Sequence, residues 1–368
     1  PGLLLAPLPA RAASAAAEAV LDGATLHLAW SIPFVGILLS IALLPLLAPG
    51  LWHHHYGKIA AAWALAVVLP MAGLLGPDVT LHELVHLAVA DYVPFIILLW
   101  ALFTVTGGIR LRGTMSGSPA FNTGLLALGT VLASLTGTTG AAMLLIRPLI
   151  RANAWRRRRA HIVIFFTFLV ANIGGSLTPL GDPPLFLGFL HGVPFFWPTV
   201  HLILPMLLAA GIVLALFWVV DSVLAAREVR AAAPAAAEPL RVEGLVNFAL
   251  LLAMLLAVLA SGSLELGPAF VLLGIPVPWA GLLRDLALLA VIALSWRLTD
   301  PATRAGNDFS WSPIMEVAKL FAGIFVTMAP VLAILRAGPA GALAPVVALV
   351  SDEQGRPLDL MYFWITGV

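Results

Sequence analysis

The sequence predicts an all-α polytopic membrane protein. Hydrophobic residues make up 61% of the 368 residues and charged residues only 10%, and the mean hydropathy is +1.04. Apolar stretches of about 20 residues, long enough to cross about 30 Å of hydrocarbon, recur along the chain. The net charge of +1 provides no large basic field for nucleic acid. The lack of cysteine excludes disulfides and iron–sulfur clusters.

The residues before about Glu18 are predicted to lie outside the fold. The run Leu3-Leu4-Leu5 is followed by Ala10-Arg11-Ala12, which is typical of the end of a signal peptide with an A-x-A cleavage site. A poorly packed N-terminal tail is the alternative. We therefore interpret residues 1–29 as a signal-peptide remnant and N-terminal tail.

Basic residues set the orientation of the candidate spans. Short loops rich in arginine stay in the cytoplasm, so the loops that contain Arg110 and Arg156 are placed inside and the N-terminus outside. Arg284, Arg336 and Arg356 are exceptions to this pattern. We expect a multi-pass protein of a bacterial inner membrane. The candidate spans are residues 30–50, 58–76, 91–109, 161–197 as one interrupted unit, 199–224, 244–261, 280–298 and 313–335.

Residues 121–150 form an apolar stretch that is interrupted near its middle by Thr136-Gly137-Thr138-Thr139-Gly140. Arginines flank it on both sides, so both flanks are expected in the cytoplasm. The segment must then enter the membrane and return, which makes it a re-entrant hairpin. The irregular tip is tolerated near the midplane only where it is buried in protein or lines an aqueous cavity.

Residues 161–197 are too long for one straight crossing and are broken by the run from Gly174 to Pro184. Glycine and proline release backbone groups from the helical ladder, so the segment predicts two half-helices around an unwound centre. Asp182 is the single carboxylate in this break. An ionisable group within the membrane costs at least about 2.5 kcal/mol and therefore indicates function. The alternative is that Asp182 lies at the outer interface and merely caps the second half-helix.

The elements of the first half recur weakly in the second half with opposite orientation. Residues 91–111 run inward and lead to Phe121-Asn122-Thr123-Gly124, whereas residues 316–335 run outward and lead to residues 363–367. This order indicates an inverted-topology repeat, with chance similarity as the alternative. We assign residues 30–224 to the first repeat, 225–243 to an Ala/Pro-rich linker and 244–368 to a truncated second repeat, whose hairpin is expected to begin near Leu360.

The run from Asn172 to Pro184 resembles the broken-helix motif of the ion transporter superfamily, which includes NhaD-type sodium/proton antiporters, the arsenite pump and citrate-metal symporters. The resemblance covers residues from about 30 to the end, and the sequence is most similar to bacterial sodium/proton antiporters. It implies an inverted-repeat transporter with a mobile domain and a scaffold domain whose helices form a homodimer.

The resemblance also implies which residues bind the ion or substrate. They are Thr136, Thr138 and Thr139 at the hairpin tip, with Asn172, Ser176, Thr178 and Asp182 in the broken helix. One departure from the family pattern matters, because several relatives carry a carboxylate or an amide at the hairpin tip and this sequence carries neither. The coordination number of the ion is therefore open.

These residues predict a secondary transporter rather than an enzyme, and no cofactor. Sodium prefers oxygen ligands, which hydroxyls, unwound carbonyls and a carboxylate supply. Competition of Na⁺ and H⁺ for Asp182 makes a sodium/proton antiporter the first expectation. A cation-coupled symporter of citrate or a dicarboxylate is the alternative, since an anion requires prior neutralisation of the site. The expected partners are the lipid bilayer, Na⁺, H⁺ and small carboxylates, with no nucleic acid.

A different class of protein, a membrane zinc peptidase, is the remote alternative. It depends on His82-Glu83-Leu84-Val85-His86, which matches the zinc-peptidase pattern HExxH. On a helix the two histidines share a face and Glu83 is a candidate general base. His191 and His201 are also expected outside and are candidate third ligands. Against this remote alternative, short motifs recur by chance and the segment has the pattern of an interfacial helix.

Overall fold

The computed structural model describes residues 21–228, 239–264 and 266–352, together with residues 356, 358, 360, 361 and 364. The predicted signal-peptide run and most of the predicted second hairpin lie outside the described residues. The helices are α1 (Ile32–Leu47), α2 (Pro49–Leu74), α3 (Pro77–His86), α4 (Val93–Thr106), α5 (Pro119–Thr136), α6 (Thr138–Ala152), α7 (Ala160–Leu169), α8 (Pro183–Leu190), α9 (Trp197–Ala225), α10 (Val246–Ser263), α11 (Trp279–Leu298), α12 (Pro301–Gly306), α13 (Ser312–Arg336) and α14 (Ala344–Val350).

Short irregular and extended elements connect these helices. The 3-10 turns are Leu28–Ser31, Ile173–Leu177 and Gly338–Ala340, and Leu87–Tyr92 is a π-helical turn. The strands are β1 (Arg110–Arg112), β2 (Arg241–Glu243), β3 (Pro268–Leu272) and β4 (Ile275–Pro278), which pair as β1–β2 and β3–β4. They contribute so few residues that the fold remains helical.

Nine helical segments within the described residues are long and apolar enough to cross a membrane. Their outward faces carry large apolar side chains, such as Leu46 at 79% and Leu204 at 76% exposure. A surface of this kind is suited to lipid rather than to water. The predicted all-α polytopic membrane fold is therefore confirmed.

Two segments that separate candidate spans in the sequence are helical in the structure. Residues 51–57 belong to α2, which begins at Pro49, and residues 77–90 form α3 and part of the π-helical turn that leads into α4. Pro49 and Pro77 both lie in the first turn of their helices, where the missing N–H has no helical partner to lose. Helices therefore cover both of these segments.

The chain forms two compact units. The first comprises Pro1–Tyr92, Val271–Pro276 and Ser312–Val368. Within it the indole N–H of Trp63 on α2 donates to Ser40 Oγ on α1 at 3.0 Å. A Cβ at Gly323 of α13 would lie 3.0 Å from the Ala60 carbonyl oxygen, so this glycine allows a close helix crossing. The core of this unit contains Leu21, Leu26, Val67, Met71, Ala333 and Ile334.

The second unit comprises Val93–Phe270 and Val277–Trp311. Its core lies between the helix pair α5–α6 and the helices α7 and α9. Strands β1 and β2 pair antiparallel, with Arg110 opposite Glu243. The buried core residues are Leu125, Leu126, Ala133, Ala141, Leu145, Leu149, Ile162, Phe166, Leu169, Val170, Met206, Ala210 and Phe217.

A polar cluster in the second unit holds α4 against the ends of α11 and α12. The guanidinium of Arg304 donates to the carbonyl oxygens of Thr104 at 2.8 Å and Ser295 at 2.9 Å. Asn247 of α10 donates to Thr299 Oγ1 at 2.9 Å and accepts from Ser295 Oγ at 2.7 Å. Hydrogen bonds of this kind satisfy polar groups that would otherwise be buried at a cost.

Candidate ion-binding site

Helices α5 and α6 form a hairpin. Gly137 is the only residue between them and has φ of 75°, a conformation that favours glycine. At the other end the Gly117 N–H donates to the Ala152 carbonyl oxygen at 3.0 Å, so the chain enters and leaves the pair at the same end. The 15 residues of α6 span only about 22 Å, which is shorter than the hydrocarbon core.

The segment after α7 is unwound at two places. Helix α7 ends at Leu169, a 3-10 turn covers Ile173–Leu177, and α8 begins at Pro183. Thr178 and Asp182 have extended backbones on either side of the bend. Pro179 and Pro183 lack the amide hydrogens that a continuous helix requires.

The hairpin tip packs directly against this unwound segment. The Thr138 N–H donates to the Gly181 carbonyl oxygen at 3.0 Å. The Ser134 hydroxyl donates to the Gly174 carbonyl oxygen, and the Thr178 hydroxyl donates to the Ser134 carbonyl oxygen. Three hydrogen bonds thus join two segments that are about 40 residues apart in sequence.

Glycines allow this close approach. A Cβ at Gly174 would lie 2.5 Å from the Thr130 carbonyl oxygen, and one at Gly181 would lie 2.1 Å from the Gly175 carbonyl oxygen. A Cβ at Gly175 would lie 2.7 Å from Thr138 Cγ2 and 3.3 Å from Asp182 Cβ. Thr138 and Asp182 therefore both pack against Gly175.

Asp182 occupies the N-cap position of α8, yet its carboxylate makes no capping hydrogen bond. Its backbone carbonyl oxygen accepts from the amides of Leu185 at 3.1 Å and Phe186 at 3.3 Å. The residue is half-buried, and no described residue supplies its side chain with a hydrogen bond or an ion pair. The backbone of Asp182 therefore starts the helix, whereas its carboxylate takes no part in capping it.

The other predicted site residues differ in placement. The Thr136 hydroxyl is buried and donates to the Leu132 carbonyl oxygen at 3.0 Å. The Ser176 hydroxyl donates to Ile173 within its own turn at 2.9 Å. Asn172 and Thr139 are exposed, and the Asn172 amide donates back to the Thr167 carbonyl oxygen at 2.8 Å. The structure thus places Thr138 and Asp182 beside the same glycine, Gly175, and joins Thr178 to the hairpin through the Ser134 carbonyl oxygen.

Two residues near the site were missed by the sequence analysis. Ser134 joins the hairpin to the unwound segment through both its hydroxyl and its carbonyl oxygen. Its signal in the sequence was a small polar residue one helical turn before Thr138. Arg284 of α11 appeared only as an exception to the charge pattern, and its signal was a cation within an apolar span.

Arg284 faces the second half-helix. Its side chain is 5% exposed, and its Nε lies 2.8 Å from Asp285 Oδ1. The centre of the guanidinium lies 5.6 Å from the ring centroid of Phe186, one helical turn after Asp182. The Arg284 guanidinium, which is paired with Asp285, therefore lies near the start of α8.

A second carboxylate, that of Asp221, lies at the base of the hairpin, where α5 begins and α6 ends. Asp221 of α9 is fully buried and accepts from Asn122 Nδ2 at 2.9 Å. Its Oδ1 contacts His161 Nε2 at 2.8 Å and the guanidinium of Arg156. Asn122 also accepts from Asn153 Nδ2 at 2.8 Å, which links α5 to the end of α6. This cluster holds the ends of the hairpin on α7 and α9.

The predicted zinc ligands do not form a metal site within the described residues. His82 Nδ1 lies 3.2 Å from the Leu273 carbonyl oxygen. Within the part of the chain that the structure describes, no three His, Cys, Asp or Glu side chains form a group that could hold a metal ion. The positions of His82, Glu83 and His86 therefore do not support the zinc-peptidase alternative.

Comparison with known protein families gives a match over most of the chain. A family profile described as "Putative citrate transport" matches residues 23–368. The chain belongs to this family. Membership of the citrate transport family and the apolar helices together identify a multi-pass membrane transporter. Comparisons with curated proteins and with solved structures gave no match.

Proposed function

We propose that the protein is a cation-coupled secondary transporter in which Na⁺ or H⁺ binds at Asp182 and drives the movement of a carboxylate of the citrate class. The observation that carries this proposal is the hydrogen bond from Thr138 N–H to the carbonyl oxygen of Gly181, which precedes Asp182. It brings an unwound hairpin tip against an unwound helix beside a carboxylate, the arrangement expected at a transporter binding site.

The chemistry of the proposed cation site follows from its oxygen atoms. The carboxylate of Asp182, the hydroxyl of Thr138 and the carbonyl oxygens around Gly175 provide hard ligands, which Na⁺ prefers. Asp182 carries no capping hydrogen bond, so binding a cation or a proton breaks no existing contact. The cation or proton would offset the cost of a half-buried charge in the membrane.

The family description and Arg284 support a carboxylate as the driven solute. A bare carboxylate site repels an anion, but an occupied cation site is neutral. Arg284 places a second positive group near the start of α8, and guanidinium groups bind carboxylates through two parallel hydrogen bonds. Its ion pair with Asp285 keeps this cation compensated before the solute arrives.

Sodium/proton antiport is the second candidate, and the unpartnered carboxylate of Asp182 is the observation that favours it. A single group that holds either Na⁺ or H⁺ exchanges the two as the transporter alternates between sides. This mechanism needs no anion site. Arg284 would then have only a structural role.

The test uses purified full-length protein in proteoliposomes. We expect Asp182→Asn to abolish uptake of labelled citrate under an inward Na⁺ gradient, because the amide cannot hold a cation or proton as a carboxylate does. Asp308→Asn is the matched control, since Asp308 lies in the same unit with its side chain 80% exposed. A pH-sensitive dye inside the same vesicles reports Na⁺-driven proton movement.

The two candidates give different results. Sodium-dependent citrate uptake that Arg284→Gln also reduces supports symport, whereas proton movement without citrate, insensitive to Arg284→Gln, supports antiport. Normal activity of Asp182→Asn in both assays would remove Asp182 from the mechanism and overturn the proposal. Folding of each variant is checked by its melting temperature in detergent.

A further inference from the structure

A cavity of about 1190 Å³ lies at the base of the hairpin, where α5 begins and α6 ends, away from Asp182. Its walls come from the connection between α4 and α5, the end of α6 and the end of α9. These are the ends of candidate spans and the segments between them, so the cavity lies at the level where a membrane meets water. It is separate from the proposed transport site.

The lining of this cavity is strongly basic. Four arginines and one glutamate contribute to it, namely Arg110, Arg112, Arg151, Arg156 and Glu228. Arg156 is paired with buried Asp221, and Arg110 and Arg112 contact Glu243 at 3.5 and 3.7 Å. The exposed guanidinium of Arg151, by contrast, has no hydrogen-bond or ion-pair partner among the described residues.

The neighbouring β ladder adds to this positive charge. Arg112 of β1 lies directly opposite Arg241 of β2. Like charges in directly opposite positions of an antiparallel pair destabilise it. Arg241 is exposed, so it adds positive charge beside the cavity.

Hydroxyls and a helix terminus complete the lining. Ser116, Ser118 and Thr114 all face the cavity. Ser118 caps the 18-residue helix α5 by accepting from the Phe121 N–H at 3.2 Å, so the positive end of the helix dipole also points to this region. Arginines, hydroxyls and a helix N-terminus are the groups that bind phosphate oxygens.

Apolar groups stand beside these polar groups. Leu111, Met115 and the indole of Trp155 line the same cavity, and the guanidinium of Arg156 lies 5.2 Å from the Trp155 ring centroid. The site therefore presents a polar region for an anion and an apolar wall for the attached carbon chain. Basic pockets between spans are suited to the headgroups of anionic lipids.

We propose that this cavity binds a phosphate group, supplied by an anionic lipid headgroup or by a soluble phosphate. Arg151 provides the uncompensated charge that pairs with it. The binding site is independent of the transport mechanism proposed for Asp182. Occupation of the cavity would join β1, the hairpin base and the end of α9 through one ligand.

Native mass spectrometry of the full-length protein in detergent tests the lipid source. Wild-type protein is expected to retain one phosphatidylglycerol in preference to phosphatidylcholine. Arg151→Gln should weaken this retention about tenfold or more, because a charge-assisted contact is lost. Arg159→Gln is the matched control, since it removes an exposed arginine near the same end that does not line the cavity.

Thermal unfolding with added inorganic phosphate tests the soluble source. A saturable rise in melting temperature that Arg151→Gln loses and Arg159→Gln keeps, without retained phosphatidylglycerol, assigns the site to soluble phosphate. Absence of both effects overturns the proposal, as does an equal loss in the two variants, which would indicate diffuse surface charge. The variants should fold normally because neither side chain has a partner among the described residues, and their melting temperatures without ligand verify this.

Discussion

Two carboxylates in the second unit, Asp182 and Asp221, differ sharply in how their charge is compensated. Asp221 is fully buried and contacts Asn122, Arg156 and His161. Asp182 is half-buried, and its carboxylate makes no capping bond to α8. Both charges cost free energy away from water. The difference indicates that Asp221 holds the fold together, and it motivates the cation-binding role proposed for Asp182.

The surroundings of the two residues explain this difference. Asp221 lies at the base of the hairpin, where side chains from four parts of the chain converge and their polar atoms are directed at each other. Asp182 lies at the tip, where Thr138 and Gly181 use backbone groups to hold the two segments together. The three hydrogen bonds described between the hairpin tip and the unwound segment therefore do not involve the carboxylate of Asp182.

The largest expected effect comes from removing the compensated carboxylate. Asp221→Ala leaves Arg156 buried without its counter-ion and should lower the free energy of unfolding by about 3–5 kcal/mol. Asp182→Ala should lower it by less than about 1 kcal/mol, as expected for a group without strong native contacts. Denaturant titration in detergent micelles measures both values. Equal losses in the two variants would remove the distinction between structural and ligand-binding carboxylates.

A smaller effect tests how tightly the tip is packed. Gly174→Ala would place a Cβ 2.5 Å from the Thr130 carbonyl oxygen and 2.9 Å from Ala133 Cβ. We expect a loss of about 1–3 kcal/mol from overpacking and slower transport. Gly211→Ala on α9 is the control, because no heavy atom lies within 4 Å of its added Cβ, and it should be neutral or stabilising by up to about 1 kcal/mol. Equal stability of the two variants would contradict the close packing at Gly174.

The elements that form the tip could be predicted because their signals are local. Glycine and proline unwind the chain where they occur, so the break after α7 and the turn at Gly137 are visible in the sequence. Arginine-rich flanks predicted that both ends of the hairpin are cytoplasmic and that the chain between them returns to its starting side. The Gly117–Ala152 hydrogen bond joins the two ends. The interruption is shorter than expected, since Thr138 already begins α6.

The base of the hairpin could not be predicted because its contacts are not local. Asp221 follows Asn122 by 99 residues and Arg156 by 65 residues, and nothing near Asp221 in the sequence indicates these partners. The arginines of this region were interpreted only as topology signals. The same limitation left Ser134 and Arg284 outside the predicted site, since their roles depend on which helices pack together.

A third carboxylate gives the smallest expected effect. Glu228 accepts from the Arg158 N–H at 2.9 Å, and this backbone hydrogen bond, with nearby arginine charges, lowers its pKa below the usual range of glutamate. Because the folded-state pKa is lowered, the stabilisation is present from about pH 5 upward and is lost as the pH falls through the folded-state pKa.

Glu228→Gln should therefore melt slightly below wild type at pH 7, and the two melting curves should converge on acidification. Melting temperatures between pH 3 and pH 7 in about half-unit steps measure this difference. A difference that grows as the pH falls would show that Glu228 is not stabilised in its charged form. If the curves converge, the charge of Glu228 is compensated more than that of Asp182 and less than that of Asp221. One local hydrogen bond then stabilises the charge of this exposed residue without burying it.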